Sequence, residues 1–122
     1  MSKEGTPYYK LYQSILNLNS KIRFVTIIDL DGRLIFGGQK DGIQNYLLPE
    51  DQKKSLQSAS KMWNLRNQFS GFIGKGKYAM AEYEKVKRYT IPLDNAHLLY
   101  ITTEPDLDHD LFVNNIFKLL YS

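Results

Sequence analysis

The chain has 122 residues, of which 43% are hydrophobic and 24% charged, and this balance is typical of one folded domain spanning residues 1–122. It contains no cysteine, which excludes a disulfide framework, a thiolate zinc site and a cysteine nucleophile. The 16 basic and 13 acidic side chains give a net charge of +3, too small to require a nucleic-acid partner. Because the sequence has no apolar stretch of about 18 residues and no apolar signal core, we expect a cytoplasmic protein without a membrane span.

The first predicted element is a helix from Thr6 to Leu18. Apolar side chains recur there at i, i+3, i+4, i+7 and i+8, which places them in one stripe along a helix. Thr6 offers an N-cap hydroxyl. Pro7 suits the first helical position because its missing N–H would have no partner there.

A β-hairpin is predicted next. Lys21–Asp29 is β-branched and aromatic on both alternating faces, which is typical of a central strand covered from both sides. Asp29-Leu30-Asp31-Gly32 has turn chemistry, since Gly32 can adopt a positive φ, and Arg33–Gly37 returns as the second strand.

Pro49 opens the second predicted helix, which runs to about Phe69 with acidic residues at its positive end. One side of this helix carries apolar residues and the other carries mostly lysine, glutamine and asparagine, so one face is expected to be buried. The apolar side consists of Leu56, Ala59, Met62, Trp63 and Phe69.

Three strands and a last helix complete the chain. The strands are predicted over Lys77–Tyr83, Arg88–Leu93 and His97–Thr103, and a meander is their simplest connection. Pro92 cannot donate to a ladder, so we expect a strand end or a bulge near it. The helix after Glu104-Pro105-Asp106 is apolar around most of its surface and must be widely covered.

The order α-β-β-α-β-β-β-α predicts an α/β fold with a single five-stranded antiparallel sheet, the middle helix on one face and the terminal helices on the other. The first hairpin, Phe24–Ile35, has an apolar strand, an Asp-x-Asp-Gly turn and a second apolar strand, and it resembles the roadblock/LC7 domains of the profilin- and longin-like group. Tyr89–Leu93, ahead of the Asp94-Asn95 turn, is also similar to that class. Gly74–Lys85 is in addition similar to a family of small proteins from ammonia-oxidising archaea, a likeness that implies no activity.

The roadblock resemblance implies a non-enzymatic homodimer that serves as a scaffold or regulator of a small GTPase or another regulatory protein. In that class two subunits join through the strand after the middle helix and through that helix, which here correspond to Lys77–Tyr83 and the apolar helix face. An uncharged strand edge is also a template for pairing with another chain. The expected dimer or partner interface therefore comprises Met62, Trp63, Phe69, Tyr78, Met80 and Glu82.

A basic and aromatic stretch provides an alternative anion contact, with RNA, DNA or an acidic protein surface as the partner. It comprises Lys75, Lys77, Lys85, Lys87 and Arg88. Glu82 and Glu84 dilute its charge, so solvated strand ends are the favoured interpretation and nucleic-acid binding ranks below it. Gly71–Lys77 could cradle a phosphate, but it precedes a strand and lacks the Ser or Thr of a Walker A motif, which favours a simple helix stop.

No residue is predicted to be catalytic, to bind a cofactor or to ligate a metal. The acidic cluster around Glu104–Asp110 lacks the glycine and terminal glutamate of an EF-hand loop, and acids are favourable at a helix N-terminus. His97 and His109 belong to no nucleophile elbow or triad pattern. A second hypothesis is a small-ligand sensor that holds its ligand between sheet and helix.

Overall fold

The computed structural model describes residues 7–121, and these form five strands and four helices. The elements in chain order are α1 (Pro7–Leu16), β1 (Ile22–Asp29), β2 (Leu34–Gln39), α2 (Pro49–Asn67), α3 (Ser70–Ile73), β3 (Ala79–Glu82), β4 (Lys87–Pro92), β5 (His97–Thr103) and α4 (His109–Tyr121). The predicted order is confirmed, with the single turn of α3 added. The predicted N-cap, Thr6, lies outside the described residues.

The five strands form one antiparallel sheet in the order β2-β1-β5-β4-β3. The predicted meander is present as β3-β4-β5, and β1 lies between β2 and β5, as its two buried faces require. Pro92 is the last residue of β4 and pairs with Leu98. The sheet therefore has two open edges, one at β2 and the other at β3.

The sheet carries a helical layer on each face, as predicted. Val25 and Ile27 of β1 point to the face covered by α1 and α4, where they join a large core with Phe112 and Ile116. Phe24 and Ile28, at the alternate positions, point to the α2 face. The α2 face has the smaller core, whose buried members are Phe24, Ile28, Leu56, Trp63, Leu98 and Tyr100.

The turn between β1 and β2 is held by the Asp29 carboxylate. Its Oδ1 accepts hydrogen bonds from the backbone N–H groups of Asp31 and Arg33, each at 2.9 Å. These bonds, the one from Arg33 first, lower the pKa of Asp29. Gly32 has a φ of +83° and lies directly beneath the backbone of α2, so this turn also sets the height of α2 above the sheet.

Several elements are shorter than the sequence predicts: α1 ends at Leu16 instead of Leu18 and β1 begins at Ile22 instead of Lys21, and α2 and β3 are also shortened. The helix α2 ends at Asn67, because the N–H groups of Gln68 and Phe69 bond to carbonyls three residues back and tighten the last turn. The strand β3 begins at Ala79, whereas we predicted Lys77. Its register with β4 would place Lys77 opposite Pro92, which has no N–H to complete that pair.

Candidate partner interface

The edge of β3 is the most regular unpaired edge of the sheet. The Tyr83 N–H donates to the Val86 carbonyl at 2.8 Å beside the turn to β4. Because hydrogen-bonded and non-hydrogen-bonded pairs alternate along an antiparallel ladder, every second residue of β3 directs its N–H and C=O groups toward the open edge. These residues are Met80 and Glu82. Their free N–H and C=O groups form a row along the edge of the sheet, to which a strand of another chain could hydrogen-bond.

The opposite edge of the sheet, at β2, is less suited to pairing with a second strand. Its ladder with β1 is interrupted by a register shift between Ile27 and Ile28. Gly37 and Gly38 have φ angles of +97° and +157°, both within the range that β-strand residues avoid. Such irregularity twists a strand edge away from further pairing.

A groove runs beside the β3 edge on the α2 face of the sheet. The helix packs mainly over β1 and β5, where Leu56 and Trp63 are buried. It covers the β4–β3 side only in part, since Thr90 is buried but Ala81 is exposed. The groove has a volume of about 200 Å³. Its walls and floor include Ala59, Met62, Arg66, Ala79, Ala81, Arg88 and Thr90. A partly covered strip of sheet therefore lies directly next to an unpaired strand.

The residues predicted for the interface occupy different parts of this region. Met62 lines the groove and Met80 borders it at the β3 edge. The side chains of Met80 and Glu82 lie at the alternate positions of β3, on the α1/α4 side. Phe69 lies beyond the end of α2 and is 56% exposed. Trp63 is only 8% exposed and belongs to the core under α2. Ala79 and Ala81 of β3, whose lack of charge suggested an open strand edge but which were not named as interface residues, also line the groove.

Tyr78, the sixth predicted interface residue, packs toward α4. Its ring lies 5.9 Å from that of Phe117, and its hydroxyl is 3.3 Å from Nε2 of His109. The other ring nitrogen of His109, Nδ1, lies 3.1 Å from the Tyr89 hydroxyl. The two tyrosines thereby tie the segment before β3 to the start of α4. Burial raises the pKa of the Tyr89 hydroxyl to about 12.

The raised pKa of Tyr89 predicts a loss of stability at high pH. The unfolded chain releases this proton near pH 10 and the folded chain near pH 12, so the free energy of unfolding falls as the pH rises through that interval. The difference corresponds to about 2 to 3 kcal/mol. Denaturant unfolding at stepped pH should show a shallower decline for Tyr89→Phe than for the wild type. Tyr121→Phe, at an exposed tyrosine, should leave the decline unchanged.

The predicted basic group is dispersed by the fold. Lys75 and Lys77 lie in the segment between α3 and β3. Lys87 is buried, and its Nζ donates to the Leu107 carbonyl at 2.9 Å on the α4 side of the sheet. The five side chains therefore do not form one basic surface.

Lys85 and Arg88 instead line a second cavity on the α2 face, together with Arg23. Sequence reasoning did not identify Arg23 as a residue of this cavity. The indication in the sequence was a charged side chain within the mostly apolar strand that begins at Ile22, where a buried charge needs a partner.

The acidic cluster before α4 is occupied by structural contacts. Glu104 accepts from Arg23, and Asp106 accepts from Lys21, each at 2.6 Å. Asp108 Oδ1 accepts from the Leu111 N–H at 3.1 Å and caps the helix. Over residues 7–121, no three histidine or acidic side chains come together in a way that could hold a metal ion. Nor is any helix in that range long and apolar enough to cross a bilayer.

In sequence, the chain matches no protein-family model and no curated protein. Solved structures match it closely in architecture. A roadblock/LC7 domain from Streptomyces avermitilis has a TM-score of 0.70 at 12% identity, over 91% of this chain and 89% of that one. The fold is the roadblock/LC7 fold.

Two MglB structures share this roadblock fold. The gliding protein MglB from Thermus thermophilus has a TM-score of 0.73 at 12% identity, over 95% of this chain and 89% of that one. An MglB with a tetrameric arrangement has a TM-score of 0.71 at 11% identity, over 95% and 91% of the two chains. The roadblock expectation from the Asp-x-Asp-Gly hairpin and the element order is therefore confirmed at the level of fold.

Proposed function

We propose that this protein is a non-enzymatic, cytoplasmic homodimer that acts as a scaffold or regulator of a small GTPase or another regulatory protein. The observation that carries the proposal is the unpaired β3 edge beside a strip of sheet that α2 covers only in part. The roadblock fold supports it, since the resemblance noted in the sequence implies modules of this kind. One of the similar structures is an MglB in a tetrameric arrangement, so the fold is compatible with self-association in that protein.

The proposed dimer pairs the two β3 strands antiparallel across a two-fold axis. Met80 and Glu82 of each copy direct unsatisfied backbone groups outward, and pairing would satisfy them. The same contact would bring the second α2 over Ala79 and Ala81 of the groove and shield Met62. A two-fold interface of this kind uses one patch twice, so one substitution affects both sides of it.

Met80→Pro is expected to convert the dimer to a monomer without unfolding it. Proline removes one outward N–H from each copy, whereas the bonds between β3 and β4 belong to the neighbouring residues. The loss of two hydrogen bonds at a two-fold interface should raise the dissociation constant by about tenfold or more. Sedimentation equilibrium measures this constant, and far-UV circular dichroism reports on the fold.

Met80→Thr is the matched control, because it removes the same side chain but keeps the N–H and favours a strand. It should dimerise much as the wild type does. A wild-type protein that stays monomeric at high micromolar concentration would contradict the proposed dimer. Equal dimerisation by the proline variant would exclude the β3 edge as its site.

The partner is tested separately by capture from a native cell extract in the presence of GDP or a non-hydrolysable GTP analogue. A small GTPase should be retained by the wild-type protein in one nucleotide state more than in the other, because only its switch segments differ between the states. Met62→Glu places a charge in the groove that the second α2 would cover, so it should disrupt the dimer and abolish retention by it. The regulatory role would be contradicted if the wild-type protein and the Met62→Glu variant captured the same proteins, with GDP as well as with the GTP analogue.

A further inference from the structure

A cavity of about 280 Å³ lies on the α2 face of the sheet, at the end of the sheet remote from the Gly32 turn. It adjoins the core under α2 and is enclosed on three sides. The strands provide Phe24 and Tyr100, the loop after β2 provides Ile43 and Tyr46, and the turn between β3 and β4 provides Val86. Its walls are therefore mostly apolar and aromatic.

Three cationic side chains converge on this apolar cavity. Arg23 is buried, and it is held by Glu104 at 2.6 Å and by the Gln44 carbonyl at 2.7 Å. Its charge is thus neutralised, and its role is to fix the loop that forms one wall. Lys85 and Arg88 differ from it, because no carboxylate among residues 7–121 lies within salt-bridge distance of either.

The aromatic rings of the cavity hold these cations in place. The Arg23 guanidinium lies 4.4 Å and the Lys85 ammonium 5.4 Å from the centre of the Tyr46 ring. Arg88 lies 4.8 Å from the centre of the Tyr83 ring. Cation–π contacts orient these charges without neutralising them. Because Glu104 pairs with Arg23, the charges left without a carboxylate partner are those of Lys85 and Arg88. An anion in the cavity would balance these two charges.

We propose that this cavity binds a small organic anion with a flat apolar body, such as an aromatic carboxylate. The volume lies at the lower limit of ligand pockets, about 300 Å³, which suits one ring with a short acidic side chain. The aromatic walls would stack on the ring, and Lys85 and Arg88 would bind the carboxylate. Arg88 also lines the groove beside β3, but Lys85, Val86 and Tyr46 lie outside that groove, so the inference extends the proposed function and does not depend on it.

The test uses 3-phenylpropionate as the probe and 3-phenylpropanol as its neutral analogue, with calorimetric titration of the full chain. Charge-assisted hydrogen bonds to the carboxylate predict that the acid binds about tenfold or more tightly than the alcohol. The affinity of the acid should fall as salt is added, because the two cations lie at the surface. An absence of saturable binding at millimolar acid, or equal binding of acid and alcohol, would overturn the proposal.

Two charge variants and one steric variant locate the site. Lys85→Gln and Arg88→Gln should each weaken binding of the acid several-fold, while Lys75→Gln removes an exposed lysine outside the cavity and should change nothing. Val86→Trp fills the space and should abolish binding, with circular dichroism confirming the fold. Equal weakening by the Lys75 variant, or unchanged binding by folded Val86→Trp, would place the anion elsewhere and overturn the proposal.

Discussion

Gly32→Ala is expected to destabilise the protein by about 3 kcal/mol or more, which is a large part of the stability of a domain of this size. Two costs add at this position. A residue with a side chain is strained at the φ of +83°, by about 1 to 2 kcal/mol. A Cβ would also lie 2.4 Å from Cα of Gln57 and 2.9 Å from the Leu56 carbonyl oxygen, both in the backbone of α2.

The second cost is not relieved by a side-chain rotation, because the obstructing atoms belong to the helix backbone. The helix α2 would have to rise from the sheet and loosen the contacts of Leu56 and Trp63. Overpacking of this kind typically costs about 1 to 3 kcal/mol. Because α2 also forms one wall of the groove, the same change should weaken self-association.

Gly42→Ala is the matched control for the backbone strain. Its φ is +81°, nearly the same as that of Gly32, but no atom lies within 4 Å of its added Cβ. We expect a loss of about 1 kcal/mol there, from the conformation alone. Urea unfolding of Gly32→Ala and Gly42→Ala separates the cost of backbone strain from the cost of the close contact with α2. Equal losses would show that the turn can move away from α2 at no cost, contrary to the close packing seen at Gly32.

The strands and their faces were predictable because alternation in a two-sided sheet leaves a clear pattern. Every residue of β1 up to Ile28 is buried, as the two apolar faces of that segment indicated. The Asp29–Gly32 turn was also readable, since its side-chain hydrogen bonds and positive φ demand those residue types. The element order then restricted the topology enough to predict the roadblock fold.

The candidate sites were less predictable because they depend on which side chains are brought together across the sheet. Lys87 is near Arg88 in sequence, but alternation sends its side chain to the other face, where it binds the Leu107 carbonyl. Arg23 and Lys85 are 62 residues apart in the chain, yet both lie near the ring of Tyr46, which belongs to an irregular loop. The spacing of residues along the chain does not predict contacts of this kind.

The end of α2 was mispredicted for a related reason. Phe69 continues the apolar spacing of the helix, so periodicity alone extends the helix to it. The tightened last turn instead places it beyond α2, largely exposed together with Phe72 and Ile73 of α3. An apolar residue at helical spacing marks a buried position only while the helix itself continues.

Trp63→Ala is expected to cost about 3 to 5 kcal/mol of stability, the usual range for removing a buried tryptophan or phenylalanine. Trp63 is 8% exposed, and its ring packs against Gly76 as well as the small core under α2. That core has six buried members, so the large side chain of Trp63 contributes a substantial part of its apolar packing. Phe69→Ala, 56% exposed, should cost less than about 0.5 kcal/mol.

Both substitutions should be measured in the Met80→Pro background, so that dissociation of a dimer does not add to the cost of unfolding. Circular dichroism is the appropriate signal, because Trp63 is the only tryptophan and its removal eliminates the native fluorescence. The sequence pattern assigned Trp63 and Phe69 to the interface, whereas the structure buries Trp63 and leaves Phe69 exposed. A loss below about 1 kcal/mol for Trp63→Ala in this background, with dimerisation weakened in the otherwise wild-type chain, would contradict a core role and assign Trp63 to the interface.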